Sequence, residues 1–370
     1  MQDLLAIVLR HFEDGASRAE QVVLGNTSGA SLVALPAEDL PTGRPSNTAE
    51  WRRCQLQAYV FDTAACSAGG ATLPAEQVER RRDLLAERLG CENYFDAYCW
   101  SRSLNPVALI GLADRHLATT KYEYRAQARY FLRAKYGSFH ERQLQDRLAL
   151  EVTADPDRYP FERTTAEIFS TLQNLGLRDK IDTSRRSRIG VTVNVAHPSL
   201  RKSSIFLSPA PGLESHRGAL HALGHAIFST VSQSIEDDLG VNIAATEAIA
   251  FQAQHLALAD ARESVGDFLR FVHLFQSRLY AIRALHDAKR LAKRSEDPEQ
   301  LNALAREHLG IVDLKVRPIK SKLLSVDFLV AFDEFYRKGE IDPSWETLLS
   351  YAQQVTNATL VDGVNSKMTI

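Results

Sequence analysis

Apolar residues recur at three- and four-residue intervals along most of this chain, the period of an amphipathic helix. The spacing predicts helices near residues 3–13, 49–63, 74–90, 105–117, 120–136, 139–152 and 163–176, with breaks at Gly90, Gly137, Pro156 and Gly176. Pro74 suits a first helical turn and Gly90 a C-terminal stop. Residues 25–46, rich in Gly, Ser, Thr and Pro, read as a loop or linker. Between 188 and 207 the period changes. Arg188-Ile-Gly-Val-Thr-Val-Asn-Val alternates and is β-branched, and Ser203-Ser-Ile-Phe-Leu follows a turn at Pro198, which predicts two short strands in a hairpin. Helical spacing returns over 214–230, 241–263, 266–294, 297–308, 319–338 and 344–355, and the tail after Thr356 reads as frayed. No repeat of fixed period occurs, which argues against a solenoid. The pattern therefore predicts a mainly α, multi-helical fold with a small β element beside helix 214–230. A helical N-terminal portion, 1–184, would cover a working portion, 185–370, with the cleft between them.

Composition narrows the class without changing this outline. A chain of 370 residues, 45% hydrophobic, can bury a large core. Its formal net charge of −2 gives no global reason to expect nucleic acid or an anionic membrane as partner. The basic clusters Arg80 to Arg82, Arg185 to Arg188 and Lys289 to Lys293 read as solvated faces. The tyrosines and phenylalanine in 122–136 (Tyr122, Tyr124, Tyr130, Phe131, Tyr136) read as core packing. Cys54, Cys66, Cys91 and Cys99 show no Cys-x-x-Cys spacing, which argues against a zinc ribbon or a disulfide framework. Residues 4–12 are too short and too interrupted for a membrane span, and they lack a cleavage pattern. A cytoplasmic location is expected.

The chemistry concentrates at residues 220–228, Leu-His-Ala-Leu-Gly-His-Ala-Ile-Phe, where His221 and His225 stand four apart in a helix-forming context. At that spacing two imidazoles leave one helix face and can reach one zinc ion, as in a His-Glu-x-x-His helix. Ala222 stands where that motif places its Glu. A hydrolytic zinc site takes three protein ligands, and Glu247 is the natural third: 22 residues beyond His225, it has room for the end of one helix, a loop and the start of an antiparallel helix. Ala244, Ala245, Ala248 and Ala250 on one side, and Gly224 and Ala226 on the other, are small enough to let the two helices approach closely.

His221-Ala-Leu-Gly-His225-Ala, followed by Thr246-Glu247-Ala, resembles the zinc and glutamate helices of the gluzincin peptidases, most closely the thimet oligopeptidase and oligoendopeptidase F family. Arg201-Lys-Ser-Ser-Ile-Phe-Leu is similar to that family's strand before the zinc helix, and Phe335-Tyr-Arg-Lys-Gly339 with Asp342-Pro343 to its C-terminal end. The resemblance covers roughly 185–355. It implies a zincin-like metallopeptidase fold, Zn2+ held by His221, His225 and Glu247, and cleavage of peptides by a zinc-activated water. It also implies a peptide substrate bound extended along the 189–207 strand region. The chain departs from the family in being shorter than its typical members and in carrying Ala222.

In the mechanism that the resemblance implies, the motif Glu takes the water's proton and passes it to the leaving amine, and Ala can do neither. Losing a positioned general base costs on the order of 10²- to 10⁴-fold in rate, so a nearly inactive enzyme is expected. Either the natural protein has Glu at 222 and this copy was altered, or the chain is a natural pseudopeptidase that binds zinc or peptide without cutting. The rest of the motif is intact, which favours the first. Tyr280 and Tyr336 are the candidate oxyanion donors. His216, His255 and His273 read as surface or core histidines, and the lack of paired Glu-x-x-His motifs disfavours a di-iron protein.

Overall fold

The helical spacing resolves into eleven α-helices and three short strands in a computed structural model, which describes residues 58, 75–132, 143, 157–188, 192–197, 200–232, 243–256, 263–293, 298–311, 324–338 and 344–355. The helix expected over 3–13, and nearly all of those over 49–63 and 139–152, lie outside the described residues.

In the N-terminal part, α1 spans Ala75–Arg88, α2 Tyr94–Ser101, α3 Pro106–Thr119, α4 Lys121–Leu132 and α5 Phe161–Asn174. Asn105 caps α3 by accepting from the amides of Val107 and Ala108, with Pro106 in the first turn. The spacing did not predict α2. Every residue of it except Asp96 is buried, so no polar face marks its period, and its signal is the Asn93 side chain accepting from the Asp96 amide. The aromatic stripe divides. Tyr124 is fully buried against Phe271 and Phe275, and Phe131 packs on Phe268 and Phe271. Tyr122 and Tyr130, expected in the core, are exposed, because they leave α4 on its outer face. The basic clusters are also less uniformly solvated than expected: Arg82 is buried over the Tyr94 ring, and Arg290 is buried beside Asp287.

The predicted hairpin is present as β2 (Val193–His197) antiparallel to β3 (Lys202–Phe206), with Arg201 at positive φ in the turn. A third strand, β1 (Ile181–Asp182), runs parallel to β3 and was too short to leave a pattern. The sheet order is β1-β3-β2. β3 is therefore the middle strand, and within the 189–207 region it is β2 that has an edge unpaired with any other described strand.

After the sheet, Gly212 takes φ 109°, a conformation L side chains rarely adopt, and its N–H donates to Tyr159 O. This turn starts α6 (Leu213–Val231), which packs against both β2 and β3. α7 (Ile243–Leu256) lies along α6, and α8 (Glu263–Lys293) packs on α3. α9 (Pro298–His308), α10 (Leu324–Lys338) and α11 (Trp345–Ala352) complete the layer, with α10 against α7 and α8. One continuous core joins both portions of the chain, from Leu85, Tyr98 and Leu112 through Ile205 and Leu223 to Phe271, Leu309 and Leu348. No helix among the described residues is long and apolar enough to cross a membrane.

Candidate metal centre

Leu220, Leu223, Ala226 and Ile227 bury one side of α6 in the core. The turn geometry then places His221 and His225 together on the face toward α7, with ring centroids 4.7 Å apart and ring planes nearly perpendicular. α7 approaches closely because the facing residues are small: a Cβ at Gly224 would lie 2.6 Å from Ala250 Cα. That approach brings Glu247 to the histidines. His221 Nε2 and His225 Nε2 are 3.1 Å apart, Glu247 Oε2 is 3.5 Å from the first, and Oε1 is 3.6 Å from the second.

Those separations fit a metal ion. Four ligands about 2.0–2.1 Å from a tetrahedral zinc stand about 3.3 Å from one another. The three donors lie within 4.8 Å of one another and form the group among the described residues that could hold a cation. Glu247 Oε2 is buried and has no hydrogen-bond partner, the condition of a carboxylate oxygen whose partner is an ion. His225 Nδ1 is 2.9 Å from Thr246 Oγ1, an outer contact of the kind that orients a ligand ring.

Without a cation, burial sets the charge states. It pushes Glu247 up to about 8, helped by the negative charge of Asp327. It pushes His221 down to about 4, with the Arg217 guanidinium adding to the effect and a Gln254 hydrogen bond opposing it. His225 falls well below the usual imidazole range through burial and then through His221. The centre is thus two neutral imidazoles and a carboxyl group that a cation would ionise.

Behind His221 lies a buried network with no obvious signature in the sequence. Arg217, one turn earlier on α6, is 4% exposed. It donates to Glu214 and to His273 Nε2, each at 3.0 Å. The Gln254 amide oxygen, in its hydrogen-bonding orientation, accepts from Arg217 Nη2 at 2.7 Å. The only trace was the i−4 spacing of Arg217 from His221. His273 is held neutral, first by burial and then by Arg217. His216 is also a core residue, its ring tilted against Tyr159 and bonded to Thr164, while His255 is half-buried. All three agree with their reading as core or surface histidines.

Ala222 points no polar atom at the centre and is 5% exposed within the main core. Tyr280 is half-buried and stacks on Phe328 and Phe332. The ring sequence His221, Phe251, Phe332, Tyr280 leaves two phenylalanines between it and the nearer histidine. Tyr336 lies on α10, and its side chain is outside the described residues.

No family model and no curated protein matches the sequence. Among solved structures, a crystal structure from Bacillus anthracis str. Ames, provisionally assigned as an oligoendopeptidase F, is similar over 84% of this chain at 12% identity, with a TM-score of 0.48. The chain spans 62% of the length of that one.

Proposed function

We propose that this chain is a zinc-dependent peptidase of zincin-like, gluzincin type in a form that lacks its general base. The observation that carries the reading is the convergence of His221 Nε2, His225 Nε2 and the Glu247 carboxylate at the spacing of a tetrahedral metal's ligands. The motif resemblance of His221-Ala-Leu-Gly-His225 and Thr246-Glu247 supports it.

His221 and His225 would hold Zn2+ through Nε2, and Glu247 through its carboxylate. When bound, the ion supplies a Lewis acid that polarises a carbonyl and makes water a nucleophile at neutral pH. The outer edge of β2 offers main-chain N–H and C=O groups to an extended peptide, beside the helix that carries both histidines. Arg217, bonded to Gln254, sets a positive charge close to His221. At position 222 a methyl group replaces the carboxylate that would take a proton from water and give it to the leaving amine. Binding therefore survives and turnover does not. The assignment of Tyr280 or Tyr336 as the oxyanion donor belongs to this proposal, as does a cytoplasmic location.

A second reading, a natural pseudopeptidase that binds zinc or peptide without cutting, draws on the burial of Ala222 within the core. Two measurements test these readings, the first their shared premise and the second the difference between them. Metal analysis of the purified chain should give one zinc, absent in His221→Ala; it also identifies the metal, since two histidines and a carboxylate suit iron(II) as well. Ala222→Glu should then raise peptide hydrolysis by roughly 10²-fold or more. Zinc bound with no hydrolysis in Ala222→Glu would overturn the peptidase reading in favour of the second.

A further inference from the structure

An imidazole ligates a metal only through a nitrogen that carries no proton, so a neutral histidine must keep its proton on the other one. His225 faces two environments. Its Nε2 looks toward His221 Nε2 at 3.1 Å and Glu247 Oε1 at 3.6 Å, while its Nδ1 looks at Thr246 Oγ1 at 2.9 Å. Thr246 directly precedes Glu247 on α7, so one turn of that helix presents a carboxylate to one side of the ring and a hydroxyl to the other. In a helix a threonine chooses between two χ1 rotamers, and here the one adopted sets the oxygen 2.9 Å from the ring, while a hydroxyl adds no charge to compete for the cation.

Resting on the zinc reading above, we propose that Thr246 is a positioning residue: its Oγ1 accepts the His225 Nδ1–H, holding this ring in the tautomer that leaves Nε2 bare. The two histidines then have different parts. Of the two Nε2 atoms facing each other at 3.1 Å, one must carry the proton of their hydrogen bond. With the His225 proton held on Nδ1, the donor in the metal-free protein is His221 Nε2–H. His225 is preset for the ion, and His221 must move its proton to Nδ1 before it can ligate.

The full-length chain tests this through nitrogen-15 NMR of its histidine rings, with and without zinc, and through zinc affinity by chelator competition. His225 should show an Nδ1 proton in both states, and His221 should change from Nε2–H to Nδ1–H on adding zinc. Thr246→Val, which keeps the shape and removes the oxygen, should bind zinc roughly 10- to 100-fold more weakly, while Thr246→Ser should stay within a few-fold of the parent. A residue with a purely structural part would change stability in these variants without changing the tautomer. An Nε2 proton on His225 in the metal-free parent, or parental zinc affinity in Thr246→Val, would overturn the proposal. Should Thr246→Val not fold, the parent's tautomers and Thr246→Ser still decide it. A parent chain that takes up no zinc refutes the zinc reading instead, while the metal-free tautomer of His225 still reports on the Thr246 bond.

Discussion

Glu247 answers to two opposing conditions. Its burial, with Asp327 behind it, raises it to about 8, so the carboxyl group is protonated at pH 7 in the metal-free protein. A cation requires it ionised. His221, near 4, and His225, lower still, are already neutral there. Zinc uptake at pH 7 should therefore release about one proton, from Glu247, and affinity should climb with pH until it levels off near 8. The sign is opposite for the metal-free fold: a carboxyl raised from 4.5 lends stability at low pH and loses it as pH rises through 8. Calorimetry in buffers of different ionisation enthalpy measures the proton count, and heats independent of buffer at pH 7 would contradict it. Glu247→Gln should abolish both the release and tight binding. Sequence made these three donors legible because His and Glu are rare enough on close-packed helix faces to stand out. Thr246 and Gln254 were not legible, since their residue types serve caps, surfaces and cores equally often.

The site exists because α6 and α7 touch, and that contact depends on Gly224. A methyl group there would sit 2.6 Å from the Ala250 Cα, and backbone on the far side cannot swing away as a side chain would. Gly224→Ala should therefore force the helices apart, at a cost of about 1–3 kcal/mol, and weaken zinc binding by displacing Glu247 from the histidines. Gly218, on the same helix, supplies the control, because a Cβ there meets nothing within 4 Å. Gly218→Ala should gain up to about 1 kcal/mol from helix propensity alone and leave zinc affinity unchanged. Thermal unfolding of the two variants reads the difference, and equal shifts would remove the close-contact argument. The same logic separates the elements that sequence predicts from those it misses. Long amphipathic helices such as α5 and α10 declare a buried side by their period. α2 is buried all round, and β1 exists only because β3 is there to pair with, so both are decided by neighbours distant in the chain.

At the scale of the molecule, the division at 184/185 drawn from sequence meets a core that passes through it without interruption. Arg278 of α8 is the clearest stitch. It is 1% exposed and lies over the Tyr124 ring, with its guanidinium among the C-terminal ends of helices from both portions. Nη1 donates to Leu117 O at 2.8 Å and Thr120 Oγ1 at 2.6 Å, and Nη2 donates to His308 O at 2.7 Å. Helix C-termini present carbonyls with no partner inside the helix and a partial negative charge, so one planar cation with several donors satisfies both ends together. Arg278→Met keeps much of the apolar bulk and strands those carbonyls in the core, which should cost about 3 kcal/mol or more. Because the bond ties 106–132 to 263–308, the loss should lower a single unfolding transition as a whole, followed by fluorescence and circular dichroism together. Arg278→Lys should recover little, since an ammonium cannot span both helix ends. The metal centre's three donors lie on α6 and α7 and none of them bonds Arg278, so zinc affinity well below the melting temperature should hold in both variants. Two separated transitions, with only the earlier one moved by Arg278→Met, would instead make the N-terminal and C-terminal portions independent folding units.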